Sequence, residues 1–153
     1  MTDKPIAFTA DGRPVFDNAP TVVILAVRRS GSLLAIRRGI EPGYGKIALP
    51  GGYHMKGETW RQAGARELSE ETGFVVDPQT IRQLGETVTD HSGNNLLFAA
   101  SDGPCNYDET AIKDGEALET IWLETAGEAE EWAFPLHYYT ARSIFAALPG
   151  SHP

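Results

Sequence analysis

The sequence has a single cysteine, Cys105, and no apolar run long enough to cross a lipid bilayer. One cysteine cannot form an internal disulfide, and no Cys and His spacing typical of a zinc site is present. The N-terminal segment also lacks the basic stretch followed by an apolar stretch that marks a secretory signal. We therefore expect a cytoplasmic protein with no membrane partner.

Positive charge is scarce in the second part of the chain. Residues 1–66 hold 10 of the 13 Lys and Arg residues and 5 acidic residues, whereas residues 67–153 hold 3 basic and 16 acidic residues. The overall net charge is −8. Proteins that coat nucleic acids are usually basic, so this balance argues against a nucleic-acid partner. A small anionic substrate is compatible with it if something neutralises the acidic half locally.

No repeat, low-complexity tract or linker divides the chain, so we predict a single domain over residues 1–153. Thr59 and Gln62 have the spacing of a capping box and Gly73 is suited to end a helix, which predicts a helix over Trp60–Thr72. Helical spacing predicts a second helix over residues 136–148. Alternating or aliphatic runs predict strands over residues 5–9, 13–16, 21–27, 32–38, 46–49, 81–89, 95–100 and 117–123. This order predicts an α/β (α+β) fold in which helices cover both faces of a mixed β-sheet.

Three carboxylates, Glu67, Glu70 and Glu71, lie on one face of the first predicted helix. They fall in its last two turns, where the helix dipole disfavours negative charge. A divalent cation would remove this conflict, and Mg²⁺ prefers such hard oxygen ligands. Charge runs are also common on solvated helix faces, so these residues alone do not distinguish a metal site from an ordinary surface.

The spacing around these carboxylates is far more specific. Gly52 is followed by Glu58, by Arg66-Glu67-Leu68, by Glu70-Glu71 and by Gly73-Phe74. This pattern resembles the signature of the Nudix hydrolases, GX5EX7REUXEEXGU, where U is a bulky apolar residue. Eight of its nine specified positions match strictly, and Phe74 is aromatic where an aliphatic residue is usual. A looser resemblance covers residues 21–148.

The resemblance implies an α/β/α sandwich and an Mg²⁺-dependent enzyme, with Mn²⁺ as an alternative metal. The implied reaction hydrolyses a pyrophosphate bond in a nucleoside diphosphate linked to another moiety, such as a nucleotide, a nucleotide sugar or a dinucleotide. A window beyond the motif carries Pro in ADP-ribose enzymes and Tyr in diadenosine polyphosphate enzymes, and residues 89–92 of this chain contain neither. The resemblance therefore does not select among these substrates. The resemblance is compatible with a homodimer, since homodimers are common in similar families.

The resemblance also assigns roles to individual residues. Glu70 and Glu71 are expected to bind the metal, Glu67 is a further ligand or the base that deprotonates water, and the Gly51 carbonyl is often a ligand. A further acidic ligand is expected from a later loop, with Glu116 as the first choice and Asp114 as the second. Glu58 precedes the helix and can pair with Arg66, which would fix the loop against the helix.

The sequence gives weaker indications of which residues contact the phosphate groups and the base of a substrate. Arg28 and Arg29, like Arg37 and Arg38, are neighbours on a predicted strand, so at most one of each pair can face a site. The alternative for either pair is a place on the solvated surface. Tyr44, Tyr53 and His54 flank the glycine-rich segment and are candidates for stacking on a base, although loop aromatics more often cover the core. The remaining histidines lack metal-ligand spacing and are expected to be structural or exposed; they are His91, His137 and His152.

A competing hypothesis is a module of the same fold that binds a nucleotide derivative without cleaving it. Such modules typically lose motif carboxylates or carry an attached DNA-binding domain. This chain shows neither feature, which favours the enzyme.

Overall fold

A computed structural model describes residues 3–147. Leu148 and His152, which belong to the predictions above, lie outside the described residues. The helices are α1 (Trp60–Thr72) and α2 (Pro135–Ala146), and short 3-10 turns occur at Pro78–Thr80 and Ala129–Glu131. The strands are β1 (Ala7–Phe8), β2 (Pro14–Val15), β3 (Thr21–Arg29), β4 (Ser32–Arg38), β5 (Ile47–Ala48), β6 (Gly51–Tyr53), β7 (Phe74–Val76), β8 (Ile81–Gln83), β9 (Val88–Thr89), β10 (Asn95–Ser101), β11 (Cys105–Tyr107) and β12 (Ala117–Leu123).

The main sheet is mixed, as predicted, with the strand order β12-β4-β3-β10-β8. Strand β10 runs parallel to β3, with Asn95 opposite Thr21 and Ser101 opposite Val27. The other pairs in this sheet are antiparallel, and the short strands β5, β6 and β9 attach to β4, β3 and β10. Strands β1 and β2, both within predicted strands, form an N-terminal hairpin, and β7 pairs with β11.

Strand β3 divides the core between the two helices. Because side chains alternate along a strand, Val23 and Leu25 pack on the α1 side with Ala63 and Leu68, whereas Ile24 and Ala26 pack on the α2 side with Ala141. The sheet is therefore buried on both faces, which confirms the α/β/α sandwich. No helix within residues 3–147 is long and apolar enough to span a membrane.

Local interactions define both ends of α1. The Thr59 hydroxyl accepts a hydrogen bond from the Gln62 backbone N–H at 3.2 Å, and the Gln62 side chain accepts one from the Thr59 N–H at 2.8 Å. At the other end Gly73 adopts φ +79° and donates its N–H to the Ser69 carbonyl. The capping box and the left-handed glycine thus confirm the predicted limits of this helix.

The single strand predicted over residues 81–89 is wrong. Strand β8 ends at Gln83 and β9 begins at Val88. Gly85 between them adopts φ +62°, which is incompatible with continuous strand geometry. The three-residue strands β7 and β11 were not predicted, because runs this short carry no clear periodicity.

Candidate metal and phosphate site

Helix α1 lies directly against the glycine segment of β6. A Cβ atom at Gly52 would overlap the Glu67 carboxylate, so a side chain at this position would displace that carboxylate. The backbone N–H of Gly51 donates a hydrogen bond to Glu71 Oε2 at 3.0 Å. Because the two glycines carry no side chains, the backbone of β6 can lie close to the carboxylates of Glu67 and Glu71.

Three carboxylates converge beside this contact. Glu67, Glu70 and Asp114 each offer an oxygen, and these oxygens lie within 4.8 Å of one another. Asp114 belongs to the loop between β11 and β12, and its backbone N–H donates to the Glu70 carbonyl at 2.9 Å. We call these three residues the carboxylate cluster. The first choice for the loop ligand, Glu116, follows two residues later, and its N–H donates to the Asp114 carboxylate at 2.9 Å.

The negative charge at this site is poorly solvated. Glu71 is only 7% exposed, and burial raises its pKa well above the ordinary value. The Gly51 hydrogen bond opposes that shift, whereas the charges of Glu67, Asp114 and Glu116 add to it. Burial also raises the pKa of Glu67, against the opposing effect of Arg66. Buried like charges of this kind favour a bound cation.

Arg66 connects the cluster to the loop before α1. Its Nη1 donates to Glu67 Oε1 at 2.8 Å and to Glu70 Oε2 at 3.1 Å. Its Nε and Nη2 donate to the two oxygens of Glu58 at 3.0 and 2.8 Å, and Nη2 also reaches the Tyr53 carbonyl. The Arg66 hydrogen bonds lower the pKa of Glu58 to about 2. The structure therefore contains the ion pair between Glu58 and Arg66 that the sequence indicates.

The other arginines considered for phosphate binding lie in different places. Arg28 pairs with Asp102 toward the end of β3, about 16 Å along the strand from Val23, which pairs with Gly52. Arg29 lies over the Trp122 ring at 4.1 Å. Arg37 pairs with Glu119 at 2.8 Å.

Arg38 lines a cavity of about 500 Å³ that opens beside Glu71. Its Nε donates to the Pro42 carbonyl at 2.7 Å, and its guanidinium carbon lies 4.9 Å from the centre of the Phe134 ring. Apolar side chains of the sheet and the polar residues 90–94 both contribute to the lining of the cavity. Its lining residues include Val22, Ile24, Leu49, Gly51, Gly52, Tyr53, Glu71, Asp90, Asn94, Leu96, Phe134 and His137.

The aromatic candidates for stacking on a base also lie in different places. Tyr53 lines the cavity, whereas Tyr44 is 57% exposed and is not among its lining residues. His54 is engaged with the Glu58 carbonyl at 2.7 Å through Nε2. Sequence analysis did not indicate Phe134 or His137 as site residues. No local pattern marks them, because α2 reaches the cavity only through packing on the sheet.

Comparisons with known proteins agree with this geometry. The NUDIX domain family matches residues 17–142. An uncharacterised Nudix hydrolase of Pseudomonas aeruginosa is 31% identical over 103 residues, which cover 62% of this chain and 59% of that protein. The ADP-ribose pyrophosphatase of Methanocaldococcus jannaschii is 41% identical over 55 residues, which cover 36% of this chain and 32% of that protein. The chain thus spans about a third to three fifths of the length of these relatives.

A solved structure shows the same fold. The crystal structure of a NUDIX hydrolase from Nitrosomonas europaea superposes with a TM-score of 0.74 at 21% identity, covering 95% of this chain and 81% of that one. Together with the family match over most of the chain, the fold and the intact motif on α1 lead to one conclusion. The chain belongs to the Nudix hydrolase family.

Proposed function

We propose that this protein hydrolyses a pyrophosphate bond in a nucleoside diphosphate linked to another moiety, and that the reaction depends on Mg²⁺. The observation that carries the proposal is the carboxylate cluster, in which oxygens of Glu67, Glu70 and Asp114 lie within 4.8 Å of one another. The cluster lies against the glycine backbone of β6 and beside a cavity large enough for a nucleoside.

The residues present fit a hard divalent cation. All cluster ligands are carboxylate oxygens, the type that Mg²⁺ and Mn²⁺ prefer. Glu67, Glu70 and Asp114 would hold the cation, and Glu71, Glu116 and the Gly51 carbonyl are further candidate ligands. When bound, the cation neutralises diphosphate charge and lowers the pKa of water. Glu67 serves as a ligand or accepts the proton of the attacking water.

The remaining residues of the site position these groups. Arg66 holds Glu67 and Glu70 from one side and Glu58 from the other, so the carboxylates are fixed relative to the end of β6 at Tyr53. Arg38 lies at the cavity and can contact phosphate or base. Arg28 and Arg37 are engaged in ion pairs with Asp102 and Glu119, so a phosphate role for them requires those pairs to open.

The organic part of the substrate would occupy the cavity beside Glu71. The M. jannaschii relative is named for ADP-ribose, which supports including ADP-ribose in the substrate panel. Nucleotide sugars, dinucleotides and nucleoside triphosphates complete it, because residues 89–92 carry neither the Pro nor the Tyr that distinguishes subgroups of similar enzymes.

The test is hydrolysis of this panel by the purified protein with Mg²⁺, followed by release of nucleoside monophosphate or phosphate. Glu70→Gln removes one charge from the carboxylate cluster and should abolish activity. Glu124→Gln makes the same chemical change at an exposed position outside the site and should leave the rate unchanged.

An inert wild-type protein on the whole panel, or full activity in Glu70→Gln, would contradict the proposal. Tight nucleotide binding without turnover, measured by calorimetry, would instead support a non-catalytic module that senses nucleotide derivatives.

A further inference from the structure

His137 is held rigidly at the wall of the cavity. It lies in the first turn of α2 and is 8% exposed. Its ring packs against Phe98 at 5.7 Å and against Phe134 at 4.9 Å between ring centres. The Leu49 backbone N–H donates to its Nδ1 at 3.1 Å. Three contacts therefore fix the orientation of the imidazole.

The remaining ring nitrogen, Nε2, is available to a ligand. Nδ1 accepts a hydrogen bond, so the proton of the neutral imidazole is on Nε2. Nε2 has no hydrogen-bond partner within residues 3–147. In the same part of the chain no fully buried side-chain nitrogen or oxygen lacks a partner. Nε2 is therefore accessible, and His137 lines the cavity beside Glu71.

The imidazole remains neutral under ordinary conditions. Burial, together with the nearby Arg38 charge, lowers the pKa of His137 to about 3. The residue therefore presents a single N–H donor with a fixed direction. Arg38, which lies over the Phe134 ring, brings a second set of donors to the same wall.

We propose that His137 is a specificity-determining residue whose Nε2–H donates a hydrogen bond to an acceptor atom on the organic moiety of the substrate. This inference rests on the proposed function, because that moiety is what the cavity would hold. A wall that offers donors selects a ring nitrogen or carbonyl oxygen and disfavours an amino group. A ligand without the acceptor leaves a desolvated N–H unpaired, and such losses discriminate strongly between substrates.

Two conservative substitutions separate this role from a structural one. In His137→Gln the side-chain amide can place a donor near the position of Nε2, but the acceptor for Leu49 is lost. In His137→Asn the side-chain oxygen can accept from Leu49 as Nδ1 does, but the donor near Nε2 is lost. Tyr139→Phe, on the exposed part of α2, is the matched control.

The kinetic test uses the panel substrate that the wild-type protein hydrolyses fastest. We expect His137→Asn to raise KM by about tenfold with kcat nearly unchanged, the effect of one lost hydrogen bond, and His137→Gln to restore much of that loss. Tyr139→Phe should match the wild type. If His137→Asn keeps the wild-type KM while His137→Gln is impaired, the residue only anchors Leu49 and the proposal is overturned.

A second readout needs neither turnover nor a variant. In wild-type protein labelled with ¹⁵N-histidine, the Nε2–H resonance of His137 is followed while AMP, GMP, CMP or UMP is added with Mg²⁺. A shift of this resonance that saturates with at least one nucleotide supports the proposal, even if the protein proves not to be a hydrolase. Hydrolysis of the panel with no shift for any of the four nucleotides would overturn the proposal and leave the proposed function intact.

Discussion

Glu58 and Arg66 are joined by two parallel hydrogen bonds, from Nε to Oε2 at 3.0 Å and from Nη2 to Oε1 at 2.8 Å. The remaining donor of the arginine, Nη1, contacts Glu67 and Glu70. One guanidinium thus couples the loop before α1 to the carboxylates on that helix. Such bidentate pairs fix geometry as well as adding energy.

Glu58→Gln should therefore weaken the folded state in a pH-dependent way. The folded pKa of Glu58, about 2, lies below its ordinary value of 4.5, so its stabilisation is present above pH 4.5 and is lost as the pH falls toward 2. We expect a loss of about 1–2 kcal/mol at pH 7, since the partly exposed pair is screened by solvent. Urea unfolding at several pH values measures it.

The matched control for that experiment is Glu109→Gln, which changes an exposed glutamate elsewhere. Its unfolding curve should overlay that of the wild type. A Glu58→Gln deficit that stays constant between pH 7 and pH 3 would show that the ion pair is not its cause.

Asp114 and Glu116 should differ in their effect on metal binding. Asp114 has an oxygen within 4.8 Å of oxygens of Glu67 and Glu70, whereas Glu116 is not in that group. Asp114→Asn should weaken Mn²⁺ binding by at least about tenfold, and Glu116→Gln by less. Calorimetric titration of both variants decides the order, and a larger loss in Glu116→Gln would assign the loop ligand to that residue.

Glu71→Gln should stabilise the protein when metal is removed by a chelator. Burial raises the folded pKa of Glu71, so the metal-free protein loses stability as the pH rises from 4.5 through that folded pKa. The neutral amide lacks this penalty. At pH 8 we expect the Tm to rise by at least about 2–4 °C, the shift that 1 kcal/mol produces in a domain of this size.

With Mg²⁺ we expect the wild type to be more stable than Glu71→Gln. A bound cation stabilises the wild-type carboxylate but not the amide. Thermal unfolding with and without Mg²⁺ tests both halves of this expectation. A variant that is less stable than the wild type at pH 8 in chelator would contradict it, as would an advantage that grows toward pH 4.

Gly52→Ala should impair catalysis more than folding. A methyl group at this position overlaps the Glu67 carboxylate, the end of a side chain that can move aside. Displacement of a catalytic group by about 1 Å typically costs about 100-fold in rate, so we expect kcat to fall by that order. A Tm close to that of the wild type, together with normal activity, would show that the position of Glu67 is not critical.

The local features of α1 were predictable from sequence because they depend on neighbours in the chain. The capping box between Thr59 and Gln62 and the left-handed Gly73 use contacts within three or four residues. The same short range places Glu67, Glu70 and Glu71 near one another on the helix. The break at Gly85 was missed because an isolated glycine within a strand-like segment does not by itself show that the strand must end.

Contacts between residues far apart in the sequence could not be predicted from local patterns. The parallel pairing of β10 with β3 joins residues 74 positions apart, and no local sequence pattern predicts it. The sequence left Asp114 and Glu116 as alternatives, because a loop between strands can place either residue at the helix. The backbone hydrogen bond from Asp114 to Glu70 selects the register that brings Asp114 into the cluster.

The cavity shows most clearly which features depend on local sequence and which depend on tertiary packing. The amino-acid sequence was sufficient for the family motif and for the helix that carries its carboxylates, because residue type and helical spacing define them. The wall of the cavity depends on the packing of α2 against the sheet, which brings His137 to Leu49 and Phe134 to Arg38. Those pairs are 88 and 96 residues apart, so only burial of the apolar faces in three dimensions could bring them together.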